Sequence, residues 1–199
     1  MNLANKFTIF RIILVPIMVI IPFFPIPGEI LQIPMTYILI SAIFGIAAIT
    51  DKIDGYIARS RNQVTTFGKF LDPLADKILV VAAMMMLIEF SKLPAWIPVI
   101  VVIREFIVSG YRLLEVEKGG KVVAASFWGK LKTVIQTIAI PIAFLDINPF
   151  GEVFKGTLTG YHFAVNILTT SLMLLAIIAT VFSGWDYLKN SKELFIDAK

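Results

Sequence analysis

Six long apolar runs constrain this chain more than any other feature. They cover roughly Phe7–Phe24, Pro34–Ile57, Phe70–Phe90, Pro94–Leu114, Leu131–Leu145 and Gly160–Tyr187. Most approach or exceed the ~20 residues that an α-helix needs to cross the hydrocarbon of a bilayer. The fifth is short and needs residues from Phe127 onward. The runs are continuous rather than alternating, which predicts helices and not a barrel. Hydrophobic residues make up 58% of the chain and charged residues 16%, with a mean hydropathy of +0.85. Soluble domains carry about 25% charged residues, so the expected class is an all-α, polytopic membrane protein with six transmembrane helices, in one domain over residues 1–199. Cysteine is absent and His162 is the single histidine, which excludes disulfides, thiolate metal sites and a multi-histidine site within one chain.

Charge placement predicts the orientation. Lys6 and Arg11 lie at the start, Arg59, Arg61 and Lys69 flank the second connection, and Arg112, Lys118, Lys121, Lys130 and Lys132 flank the fourth. Lys189, Lys192 and Lys199 lie at the end. The opposite connections hold only Lys92 and Lys155. Positive-inside placement therefore puts both termini and the Arg59–Lys69 connection in the cytoplasm. The net charge of +4 is small, and no nucleic-acid partner is expected. The first apolar run lacks a small-x-small cleavage site and meets Pro22, Pro25 and Pro27 instead, so it is expected to stay attached. Asn5, Thr8 and Arg11 recur along one stripe of it. That stripe is either an interfacial anchor or a wall of the active site.

Between the second and third runs lies D-K-I-D-G-Y-I-A-R-S-R-N-Q-V-T-T-F-G-K-F-L-D-P-L-A-D, Asp51 to Asp76. Asp51 and Asp54 are one helical turn apart, as are Asp72 and Asp76, so each pair shares a helix face. One ionised side chain at a bilayer centre costs roughly 2.5–3.5 kcal/mol on the lenient scale, and four would also repel one another. Divalent cations with oxygen preference are the simplest compensation. Gly55, Ala58 and Gly68 keep the surface open to a ligand, and Arg59 suits phosphate oxygens. Two such ions could clamp a diphosphate, with one carboxylate free to take a proton from an attacking hydroxyl. A blander reading makes Asp72, before Pro73, a helix N-cap and leaves Asp51 an ordinary interfacial charge.

The pattern D-x2-D-G-x2-A-R-x8-G-x3-D-x3-D resembles, at every fixed position, the signature of the CDP-alcohol phosphatidyltransferases. The resemblance implies a six-helix membrane enzyme, usually homodimeric, that moves a phosphatidyl-type group from a CDP-linked lipid to an alcohol and releases CMP. It implies two divalent cations, Mg²⁺ or Mn²⁺, on Asp51, Asp54 and Asp72. Asp76 would complete that site and act as the base. Gly55 and Ala58 would border the cytidine, Arg59 would meet the diphosphate, and Gly68 would leave room for the nucleotide.

A second polar patch bears on the acceptor. Arg104, Glu105 and Arg112 lie in or beside the fourth run, and Lys130 and Lys132 open the fifth. Arg104 deep in an apolar run is expected to face the bundle interior. Arg104 and Arg112 are two turns apart on one face. Adjacent Arg104 and Glu105 are expected to point to different sides. The cations suit an anionic acceptor, although the lysines also fit positive-inside placement and headgroup binding. The runs I-R-E-F-I-V-S-G-Y-R and S-F-W-G-K-L-K-T, with the opening N-K-F-T-I-F-R, are similar to those of the bacterial phosphatidylglycerophosphate synthase branch. That likeness implies CDP-diacylglycerol as donor and sn-glycerol 3-phosphate as acceptor, at the cytoplasmic face of a bacterial cytoplasmic membrane. Arg104, Arg112, Lys130 and Lys132 would hold the acceptor phosphate. Beyond Gln136 only apolar helix is visible. Rival readings are a sister enzyme using serine or inositol phosphate, and a cation transporter lined by the carboxylates.

Overall fold

The computed structural model describes residues 3–60, 66–117 and 126–190. It describes the side chains of all of these except 3–6, 52–60, 66–70, 72, 73, 113, 115–117 and 190. Six helices account for the apolar runs: α1 (Leu3–Ile20), α2 (Met35–Ser60), α3 (Thr66–Glu89), α4 (Trp96–Glu117), α5 (Phe127–Leu145) and α6 (Gly160–Asn190). The fifth helix begins at Phe127, where the short apolar run needed its extra residues. Ser126 caps it, its hydroxyl accepting from the Gly129 N–H at 3.2 Å.

The connections contain elements that apolar patterning does not show. A two-stranded hairpin, β1 (Glu29–Ile30) and β2 (Ile33–Pro34), precedes α2. Its turn residues Leu31 and Gln32 both have positive φ, 53° and 64°, the twist that a two-residue hairpin requires and that Asn-Gly would satisfy more easily. Gln32 Oε1 lies 3.0 Å from His162 Nε2, which ties the hairpin to the start of α6. A short 3-10 turn, Glu152–Lys155, links α5 to α6 between two left-handed glycines, Gly151 and Gly156.

α6 packs most extensively on α5, α1 lies against both α2 and α3, α2 also meets α5, and α4 leans on α6. The apolar centre includes Met18, Ile40, Phe44, Leu79, Met84, Leu87, Ile140, Phe144 and Met173. Ala47, Ala83, Ala139, Ala143, Ala176 and Ala179 are buried among the helices. Lipid is as apolar as leucine, so close backbone approach through small residues matters more than burial for such helices. The outer surface carries Ile13, Ile46, Val99, Ile103, Phe106, Ile138, Leu175 and Phe182 in the open, a composition that suits lipid. By length and composition, Gly160–Lys189 alone among the described residues forms a long, uninterrupted membrane-length apolar helix.

Candidate active site

The Asp51–Asp76 stretch spans the end of α2 and the start of α3. Asp51 and Asp54 both lie within α2, and Asp72 and Asp76 both lie within α3, so the one-turn spacing of each pair is helical. α3 begins at Thr66. Asp72 is therefore well inside the helix and is not its N-cap. Pro73 stands in the helix interior, where it removes a backbone hydrogen bond, rather than in the first turn. The side chains of Asp54, Gly55, Ala58, Arg59, Gly68 and Asp72 lie outside the described residues.

Asp51 and Asp76 can be followed in full. Arg11 of α1 places Nη2 2.7 Å from Asp51 Oδ1. Arg11 is 0% exposed, and Thr8, one turn earlier, is also buried. Thr8 and Arg11 of the α1 stripe thus face the bundle, with Arg11 at Asp51; the Asn5 side chain lies outside the described residues. At Thr8 and Arg11 the stripe is no interfacial anchor, and Arg11 is no flanking charge. Asp76, half-buried, lies within electrostatic reach of Asp51, Arg11, Lys132 and Glu105. It lines a small cavity of about 20 Å³ with Lys77, Glu105, Lys132, Thr133 and Gln136, room for about one water.

The cationic patch closes the other side. Arg104 Nη1 donates to Glu105 Oε1 at 2.9 Å, contrary to the expectation that adjacent residues diverge. The long guanidinium arm reaches back to a carboxylate that Lys132 Nζ also engages. Arg104 Nη2 donates to Ser183 Oγ of α6. Arg112 Nη2 donates to the Tyr187 hydroxyl at 2.7 Å. The Tyr187 ring lies 5.7 Å from the Arg104 guanidinium carbon and 5.6 Å from that of Arg112, within cation–π range. The two arginines do share a face. The two lysines separate: Lys132 is buried at the cavity wall, whereas Lys130 is exposed and does not line it. Two positions along a helix turn the side chain by more than half a circle.

Sequence reasoning passed over Ser183 and Tyr187, in a run that read as plain apolar helix. Their signal was a hydroxyl pair at i and i+4, which share a helix face. Lys77 was also missed. It donates to Ser109 Oγ and so joins α3 to α4 beside Asp76.

Among the described residues no three carboxylate or imidazole groups converge on one point. Asp51 and Asp76 supply only part of the four-carboxylate set. Their chemistry fits a hard divalent cation: both donors are carboxylates, and the Asp51 side chain keeps 40% exposure despite its ion pair.

In this helical bundle Asp51 pairs with buried Arg11, and Asp76 shares a cavity wall with buried Lys132, an arrangement of carboxylates beside cations that could hold an anionic, metal-bound ligand. Comparison narrows it: a family model described as CDP-alcohol phosphatidyltransferase matches residues 1–182, and the chain belongs to that family. A Bacillus subtilis protein named CDP-diacylglycerol–glycerol-3-phosphate 3-phosphatidyltransferase is 42% identical over 197 residues, covering 96% of each chain. Proteins of the same name are 37% identical in Haemophilus influenzae (98% of this chain, 96% of the relative) and 35% identical in Rickettsia bellii (98% and 97%).

Proposed function

We propose that this chain transfers the phosphatidyl group of CDP-diacylglycerol to sn-glycerol 3-phosphate, giving phosphatidylglycerol phosphate and CMP. One observation carries the acceptor assignment: buried Lys132 shares a cavity wall with Asp76, Arg104 meets the same Glu105 oxygen as Lys132, and Arg112 flanks Tyr187 with Arg104. A phosphate-bearing acceptor would find its charge matched there, while its hydroxyl faced the carboxylate. A neutral acceptor would leave the ammonium donors of Lys132 that Glu105 does not take without an anion. The family match and the full-length relatives of that name support the donor and the reaction.

Asp76 would take the proton of the acceptor hydroxyl. The hydroxyl oxygen forms a bond to the lipid-side phosphorus, the phosphoanhydride bond breaks, and CMP leaves with the bridging oxygen. Arg104, Arg112, Lys132 and the more peripheral Lys130 would hold the acceptor phosphate. Arg59 would meet the diphosphate, with Gly55, Ala58 and Gly68 leaving room for the nucleotide. Asp51, Asp54, Asp72 and Asp76 would hold two divalent cations, Mg²⁺ or Mn²⁺, which polarise the diphosphate and neutralise departing CMP when bound. Arg11 offsets part of the carboxylate charge from α1. The six helices would span a bacterial cytoplasmic membrane as a homodimer, with both termini and the site at the cytoplasmic face, where nucleotide and acceptor are soluble.

CMP release from CDP-diacylglycerol, measured on purified protein with Mg²⁺, tests this reading. Glycerol 3-phosphate, serine, inositol, inositol phosphate or no acceptor is supplied, each with and without EDTA. EDTA-sensitive release with glycerol 3-phosphate alone is expected. Release with another acceptor overturns the acceptor assignment, and absence of release with every acceptor from folded protein overturns the reaction.

A further inference from the structure

Glu105 has no part in the chemistry described above, yet it holds that part of the site together. It lies on α4 in an apolar run, with a side chain only 16% exposed. A lone carboxylate there is costly. One of its oxygens, Oε1, accepts from Arg104 of its own helix and from Lys132 of α5. Two buried cations drawn from different helices repel unless an anion sits between them. The Glu105 turn is itself tied down: its backbone carbonyl accepts from Ser109 Oγ at 2.6 Å, and Ser109 accepts from Lys77, next to Asp76.

The same contacts divide the cations by role. Arg104 has one Nη on Glu105 and the other on Ser183. It crosses α5 at Gly129, where a Cβ would come within 3.3 Å of Nη2 and 3.2 Å of Ser183 Oγ. Both terminal nitrogens of its guanidinium are thus engaged by the protein, and only Nε has no hydrogen-bond partner among the described residues. Lys132 has three ammonium donors; Glu105 takes one, and the lysine faces the cavity that Asp76 lines.

We infer that Glu105 is a positioning residue for the acceptor's phosphate: it holds Lys132 at the cavity wall and locks Arg104 behind it as a strut. The inference rests on the proposed function, and it moves Arg104 from direct phosphate ligand to support. Its test is steady-state kinetics of the full-length protein, varying each substrate in turn. Glu105→Gln raises KM for glycerol 3-phosphate roughly tenfold or more, the scale of a charge-assisted hydrogen bond. kcat and KM for CDP-diacylglycerol change little, and Glu105→Asp recovers part of the loss. In a Lys132→Met background the Glu105→Gln change adds almost nothing.

An unchanged acceptor KM overturns the inference. So does an equal rise in both KM values, which marks a general structural role, or full additivity with Lys132→Met. If Glu105→Gln does not fold, Ser183→Ala decides, because it frees Arg104 without removing a charge. A severalfold rise in acceptor KM supports the inference and no rise overturns it. The wild-type control separates the two readings. If it uses a different phosphate-bearing acceptor, glycerol 3-phosphate is wrong and Glu105 is judged on that acceptor's KM. If it uses only an acceptor without phosphate, both readings fall.

Discussion

The two ends of the bundle both bury charge, and they do it in opposite ways. At the far end from the acidic cluster, Lys92 lies in the turn between α3 and α4 and is 6% exposed. Its Nζ donates to the carbonyls of Phe144 at 2.7 Å and Asp146 at 2.5 Å, and it sits 3.8 Å from the centre of the Tyr37 ring. The Asp146 carboxylate accepts from the Asn148 N–H and from Asn166 Nδ2, at 3.0 and 2.9 Å. Asn166 also donates to the Pro149 carbonyl and accepts from the Val153 N–H. Donors meet acceptors throughout this cap. At the other end Arg11 Nε and Nη1 find no hydrogen-bond partner among the described residues, Asp51 keeps substantial exposure, and a cavity opens beside Asp76. Satisfied burial of polar groups makes a rigid cap, whereas incompletely satisfied burial keeps capacity for substrate and ions.

The sharpest way to break this contrast is to remove one polar group from each end. Asp76→Asn should lower turnover by about 10²- to 10⁴-fold, the usual worth of a positioned base, with an unchanged melting temperature. Normal turnover would remove Asp76 from the chemistry. Asn166→Ala should do the reverse. It strands Asp146 Oδ2, the Pro149 carbonyl and the Val153 N–H, and should cost roughly 3 kcal/mol of stability with unchanged KM values in the folded fraction. A loss of activity without a loss of stability would show that the cap and the site are coupled.

The smallest effect concerns pH. Burial pushes the Lys92 ammonium down from 10.5 to about 8, against the opposing pull of Asp146. Between those values the unfolded chain holds a proton that the folded chain has released, so this group's contribution to stability rises with pH across that window and is flat below about 8. Thermal unfolding of wild type and Lys92→Met at about pH 7.5, 9 and 10 checks this. Wild type should gain on the variant as pH rises. A constant difference would mean that the carbonyl cage holds the lysine charged.

Much of the architecture was legible because it is local. Apolar run length located six helices within a few residues of their observed ends, and helical spacing put Asp51 and Asp54 one turn apart in α2 and Arg104 and Arg112 two turns apart on one face of α4. What failed was whatever depended on a second helix. The Asn5–Thr8–Arg11 stripe fitted an anchor or a site wall equally well until α1 packed against α2 and α3. Lys130 and Lys132 looked alike as basic residues before α5 turned one inward. Arg104 and Glu105 were expected to diverge, yet Lys132 and Ser183 from other helices gave both side chains a common place to meet. Asp72 resembled a helix start because proline often marks one, whereas α3 had already begun at Thr66.

By itself the sequence determined that this is a helical, strongly apolar chain with an acidic signature running from the end of its second helix into its third. Those properties follow from run length and from the helical repeat, which any stretch carries without its neighbours. Tertiary structure alone decided that Arg11 answers Asp51, that Glu105 gathers Arg104 and Lys132 beside Asp76, and that Lys92 is sealed among carbonyls at the opposite end. Each of these is a contact between helices distant in the chain. Its energy depends on separation and burial, and only packing sets those.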